Sequence, residues 1–137
     1  MIYEMRVYRC IPGRLPALLK RFETITLKIW EKHGIRQAGF FTTLIGESNQ
    51  ELTYFLAWES LAEREKKWTA FQADPEWIDA RAKTEADGQI VGNIVSQLLV
   101  PTAFSAVKCP PPTKGKTFEH RQRSFADRHA RRCQIRQ

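Results

Sequence analysis

Polar and apolar residues alternate from the start of the chain. Between residues 2 and 10, Ile2, Glu4, Arg6, Tyr8 and Cys10 share one face, and Tyr3, Met5 and Val7 share the other. A period of two predicts a strand, here with one apolar face and one mixed face. Ile11-Pro12-Gly13 breaks it. From residue 14 to 33 the period changes. Leu15, Leu18, Leu19, Phe22, Ile25 and Ile29 return at helical spacing and form a single apolar stripe. Pro16 fits only because it lies in the first turn, and Gly34 is a natural stop after Lys32 and His33.

Residues 35–46 and 51–58 are rich in β-branched and aromatic residues and flank the turn cluster Gly46-Glu47-Ser48-Asn49-Gln50, which predicts a hairpin. Ser60-Leu61-Ala62-Glu63 is a capping box that opens a helix to about residue 72. Asp74-Pro75 restarts a helix, since Asp caps well and Pro suits the first position; Gly88 ends it. A final strand covers residues 90–100, closed by Pro101. The order βαββαβ predicts an α+β, ferredoxin-like fold: a four-stranded antiparallel sheet with the helices on one face. The other face would then be left open. A monomer rarely leaves a broad apolar patch in water, so two sheets are expected to pair face to face as a homodimer.

Charge changes this picture only at the end of the chain. Across 137 residues there are 22 Lys+Arg and 15 Asp+Glu, a formal +7 that by itself suggests a nucleic-acid binder. Residues 1–106, however, hold 13 basic and 13 acidic residues, while residues 107–137 hold nine and two. The body is neutral and the excess belongs to the tail. We therefore expect one domain over 1–106 and a basic, disordered extension over 107–137, whose few apolar residues would not offset the entropy of ordering. Clustered Arg121, Arg123, Arg128, Arg131, Arg132 and Arg136 after Pro110-Pro111-Pro112 would suit contact with anionic surfaces. A solvated extension with no partner is the commoner outcome. No apolar run approaches the roughly 18 residues of a membrane span, and the first residues carry no signal or transit pattern, so a cytoplasmic location is expected. Cys10, Cys109 and Cys133 have no disulfide spacing, and the spacing of Cys109, His120, His129 and Cys133 does not match a zinc finger.

Several segments resemble the NIPSNAP family. Ile2-Tyr3-Glu4-Met5-Arg6-Val7-Tyr8 followed by Pro12-Gly13 looks like its opening. Gly39-Phe40-Phe41-Thr42-Thr43 leading to Gly46-Glu47-Ser48-Asn49-Gln50, then Trp58-Glu59-Ser60-Leu61-Ala62-Glu63-Arg64 and Asp74-Pro75-Glu76-Trp77, continue the likeness. Leu99-Val100-Pro101-Thr102 with Phe104-Ser105 resembles its ending. The resemblance covers residues 1–106 and implies a dimeric α/β barrel. It implies little about chemistry. Proteins sharing such barrels include cofactor-independent monooxygenases, haem-degrading enzymes and muconolactone isomerases, a kinship of fold alone. Animal members are linked to mitochondria and mitophagy signalling, a context that this chain's N-terminus does not suggest.

The candidate site residues come from the mixed face of the first strand. Glu4, Arg6 and Tyr8 would line the barrel interior, where Arg6 offers a bidentate fork to a carboxylate, Glu4 orients it, and Tyr8 adds a hydrogen bond. A structural Glu–Arg pair that fixes register is the commoner arrangement. Phe40, Tyr54 and Trp58 would supply apolar walls, although aromatic stripes at this spacing more often belong to the core. His33, the lone histidine of the body, and Glu4 are the weak candidates for a catalytic base. His33 ends a helix, and interaction with the dipole and the last carbonyls there is the commoner role. There is no GxGxxG, P-loop, HExxH, GxSxG or CxxC, so no metal or cofactor is expected. The function expected is a homodimer holding a small organic or anionic ligand. The alternatives are a monooxygenase- or isomerase-like enzyme, or an interaction module acting through its tail. Nucleic acid is not expected to bind the body.

Overall fold

The computed structural model describes residues 1–107. The expectations for the basic extension, from Lys108 on, lie outside the described residues.

The mixed face of the first strand sets the architecture. Strand β1 (Ile2–Cys10) runs through the middle of a four-stranded antiparallel sheet, between β3 (Glu51–Trp58) and β4 (Val91–Leu99), with β2 (Arg36–Thr42) outside β3. The order β2-β3-β1-β4 with its two crossovers is the ferredoxin-like arrangement expected from the sequence. Helices α1 (Leu15–Arg21), α2 (Leu27–Lys32), α3 (Leu61–Gln72) and α4 (Pro75–Thr84) complete it. No helix among the described residues is long and apolar enough to cross a membrane.

Helices α1 and α2 occupy the one predicted helix, but a π turn, Phe22–Thr26, interrupts it. The extra residue in a π turn shifts the following stripe by one position. Thr26 and Trp30 are buried together with Ile29, while Ile25 is half-buried. Thr26 Oγ1 donates to the carbonyl of Arg21, five residues back, at 3.3 Å. Leu19, placed in the apolar stripe by spacing, is 38 % exposed. Helix α2 ends at Gly34, where φ is +66°. The Gly34 N–H donates to the Glu31 carbonyl and the Ile35 N–H to the Trp30 carbonyl, a Schellman closure that buries Ile35.

Both predicted caps form. Ser60 Oγ accepts from the Glu63 N–H at 3.1 Å, and Glu63 returns a bond to the Glu59 N–H. The Asp74 carboxylate accepts from the Glu76 N–H at 2.9 Å. The hairpin differs from expectation. Strand β2 stops at Thr42, and Leu44 and Ile45 are fully exposed in the connecting bends, so the strand expected to run to residue 46 is shorter. A bulge between Gln37 and Gly39 places Gly39 at φ +144° with the Phe41 ring 3.0 Å from where a Cβ would stand.

The faces of β1 are reversed relative to the barrel-interior expectation. Glu4, Arg6 and Tyr8 point toward the helices, where they meet Arg64, Trp68 and Phe22 respectively. Tyr3, Met5 and Val7 therefore point to the opposite face, alongside Phe41 and Phe55, whose rings meet at 6.2 Å. The mixed face can be buried because its polar groups bond one another, and the apolar face is the uncovered one.

The Ser60 cap gives a direct check on α3. Ser60→Ala should lower the unfolding free energy by about 1 kcal/mol, read from the urea midpoint at unchanged slope; no change would mean that the capping bond contributes nothing.

Candidate functional site

Glu4 is fully buried, and its carboxylate collects five hydrogen bonds. Oε1 accepts from Arg6 Nη1 at 2.7 Å, Arg64 Nη2 at 2.9 Å and Ser96 Oγ at 3.0 Å. Oε2 accepts from Arg64 Nε at 2.9 Å and Trp58 Nε1 at 3.1 Å. These donors come from β1, β3, α3 and β4. Arg64 engages as a two-pronged fork, the geometry that favours Arg over Lys. Burial by itself would raise the carboxyl's pKa, but the bonds from Arg64, Arg6 and Ser96 outweigh it and hold the group at about 2.

Arg6 is held in place by this carboxylate and covered by aromatic rings. Its guanidinium carbon lies 4.6 Å from the centre of the Trp68 ring and 5.6 Å from that of Tyr8. Its Nε is buried with no acceptor. Arg6 and Tyr8 border a cleft of about 440 Å³ between the sheet and the helices. Its walls are Phe22 and Thr26 from the π turn, Trp30 from α2, Trp68 and Phe71 from α3, and Trp77 from α4. Val91 and Ile94 close the β4 side, and Gln72, Gln89, Arg81 and Glu85 supply polar edges. Arg21 enters from α1, 5 % exposed, with its Nη1 bonded to Thr84 and Glu85. The π turn thus presents Phe22 and Thr26 to the cleft, a frequent use of such turns.

The other expected ligand residues lie behind this cleft. Tyr54 is fully buried with its ring 5.2 Å from Tyr8, and its hydroxyl has no partner. Desolvation keeps that hydroxyl protonated well above the usual phenol range. Phe40 stacks on Tyr54 at 5.0 Å and also touches Phe22. Trp58 is buried against Glu4. Of the six residues, Arg6 and Tyr8 border the cleft; Glu4, Phe40, Tyr54 and Trp58 support them.

The two expected bases are far from equivalent, and neither is placed to take a proton in this cleft. Glu4 has its oxygens occupied by five donors. His33 ends α2, with Nε2 2.6 Å from Asp74 Oδ2, and borders a separate, open depression beside Lys66 and Lys67. Bonds from Lys32, His33 and the Glu76 N–H hold the Asp74 carboxyl well below the usual range. The pair ties α2 to the start of α4 and lies outside the cleft bordered by Arg6 and Tyr8. Cys10 is buried, and desolvation pushes its thiol pKa up, away from nucleophilic use. Among the described residues, no group of three His, Cys, Asp or Glu could hold a metal ion.

The NIPSNAP family model matches residues 3–106. The chain belongs to the NIPSNAP family. A NIPSNAP family protein of unknown function from Agrobacterium tumefaciens is 30 % identical and superposes with a TM-score of 0.68, covering 77 % of this chain and 92 % of its own. An uncharacterised NIPSNAP domain protein from Burkholderia xenovorans is 27 % identical, with a TM-score of 0.67 over 81 % of this chain and all of its own. A putative antibiotic biosynthesis monooxygenase from Nitrosomonas europaea shares the fold, with a TM-score of 0.52 over 74 % of this chain and 98 % of its own at 9 % identity. No curated protein matches the chain.

The NIPSNAP cleft thus rests on the Glu4 carboxylate, whose removal is measurable. Its folded pKa of about 2 lies below its ordinary 4.5, so its contribution is complete above pH 4.5 and is lost as pH falls from there toward 2. Glu4→Gln should cost about 3 kcal/mol at pH 7, because two guanidiniums lose their shared counter-charge, and should flatten the acid limb between pH 4.5 and 2. An unchanged acid limb by urea denaturation would contradict this.

Proposed function

We propose that this NIPSNAP protein is a homodimeric binder of a small organic acid, held in the cleft between its sheet and its helices. The observation that carries the reading is Arg6: a guanidinium fixed by Glu4 and stacked on Trp68 that borders an aromatic cleft and shares its one carboxylate with Arg64. Two guanidiniums share the single Glu4 carboxylate, and a ligand carboxylate at the cleft would balance the second positive charge. The walls of Trp30, Trp68 and Phe22 favour an aromatic body on that acid. Tyr8 lies at the same rim and supplies a hydroxyl.

The cleft supports binding better than proton transfer. A catalytic base needs a free lone pair near the substrate. Glu4 is saturated, and Glu85 is bound by Arg21. The fold shared with a monooxygenase-like protein at 9 % identity supplies no residue roles.

The dimer reading rests on the uncovered face of the sheet. Phe41 is 57 % exposed and Leu99 39 %, and Met5, Val7, Phe55 and Val95 lie between them half-buried. Two such faces together would bury a continuous apolar surface.

Two measurements test these readings. By isothermal titration calorimetry, benzoate should bind and benzamide should bind at least tenfold more weakly, with Arg6→Gln removing the difference; equal affinity for acid and amide would overturn the anion site. In sedimentation equilibrium the protein should have twice its chain mass, and Phe41→Asp with Phe55→Asp should yield monomer; a monomeric wild type would overturn the dimer.

A further inference from the structure

Arg6 is not the cleft's only buried cation. Arg21, on α1, is 95 % buried and borders the same cleft. Its Nη1 reaches Glu85 Oε1 at 3.2 Å and Thr84 Oγ1 at 3.4 Å, and its Nε, like that of Arg6, is buried without an acceptor. Its guanidinium carbon lies 5.6 Å from the centre of the Trp77 ring, as that of Arg6 lies over Trp68. Two guanidiniums, each against an indole, therefore border one cavity from two different elements.

Their counter-charges follow the same plan. Arg6 and Arg64 share Glu4. Arg21 and Arg81 share Glu85, at 3.2 Å and 3.6 Å. Each cluster has two guanidiniums to one carboxylate and keeps one positive charge in excess. Among the described residues, no further carboxylate is in salt-bridge contact with Arg6, Arg21, Arg64 or Arg81; Glu65, next to Arg64 in sequence, is exposed. A cavity walled by indoles, with one surplus cation at each of two sites, is complementary to a ligand with two anionic groups on a rigid apolar frame.

We propose that the ligand is an aromatic dianion, of the class of an aromatic dicarboxylate, with one carboxylate on Arg6 and the second on Arg21. This rests on the single-anion reading above and extends it. Arg6, buttressed by the fully buried Glu4, is the deeper anchor. Arg21 is backed by Glu85, whose side chain is 22 % exposed and which also borders the cleft. Glu85 is the group a second ligand carboxylate would displace or sit beside.

The test compares each diacid with its own monomethyl ester, so that ring size and apolar area stay matched. Isophthalate, terephthalate and naphthalene-2,6-dicarboxylate are titrated into the full chain against their monoesters by calorimetry. One further charged hydrogen bond contributes about 1.5–3 kcal/mol, so at least one diacid should bind ten- to a hundredfold more tightly than its monoester. Arg21→Gln should bring that diacid to the affinity of its monoester. If monoesters bind and no diacid gains more than twofold, the dianion proposal is overturned and the single-anion site stands. If neither binds, both fall. The wild-type comparison decides the matter even if Arg21→Gln fails to fold.

Discussion

A carboxylate with no access to water must be bonded on every side or not be charged at all. Glu4 meets that condition by drawing donors from β1, β3, β4 and α3 onto its two oxygens. The same bonds pin α3 across the sheet through Arg64 and aim Arg6 along the cleft. Trp68 then packs on Arg6, and Trp30 and Phe71 pack on Trp68. Much of the helix-side architecture is thus arranged around one charge. The cost of burying that charge is the reason the network is so complete.

The π turn has a comparable reach from the opposite side. By adding one residue between α1 and α2 it turns Thr26 and Trp30 inward without displacing Phe22. The cleft exists because the two sides are constructed differently: a polar network beneath Arg6, and an interrupted helix that holds aromatic rings over it. Arg21 sits on the last turn before that interruption, with its own carboxylate, Glu85.

Element order, both helix caps and the pairing of the four strands were legible because they depend on local chemistry: a period of two, a capping box, an Asp-Pro start, glycines at stops. The direction of β1's faces was not. Alternation identifies two faces but does not say which one meets the helices, and the presence of Glu4 and Arg6 made that face look like the lining of a barrel interior. Arg64, Trp58 and Ser96, from 54 to 92 residues away from Glu4 in sequence, supply the bonds that reverse the expectation. The π turn was hidden for a related reason, since Leu18, Phe22, Ile25 and Ile29 fit an ordinary helix equally well. Arg21 escaped notice as one more basic residue at a helix end, and only its burial beside Trp77 distinguishes it.

The central claim is that Arg6 holds an anion bound in the cleft. Side-chain Nε–H correlation spectra of the arginines, recorded during titration with benzoate, test this at the atom concerned. The account predicts a saturable shift of the Arg6 Nε–H resonance together with the Trp68 indole, while the resonances of Arg36, remote from the cleft, stay fixed. An Arg6 Nε–H resonance that stays fixed at saturating benzoate would contradict it.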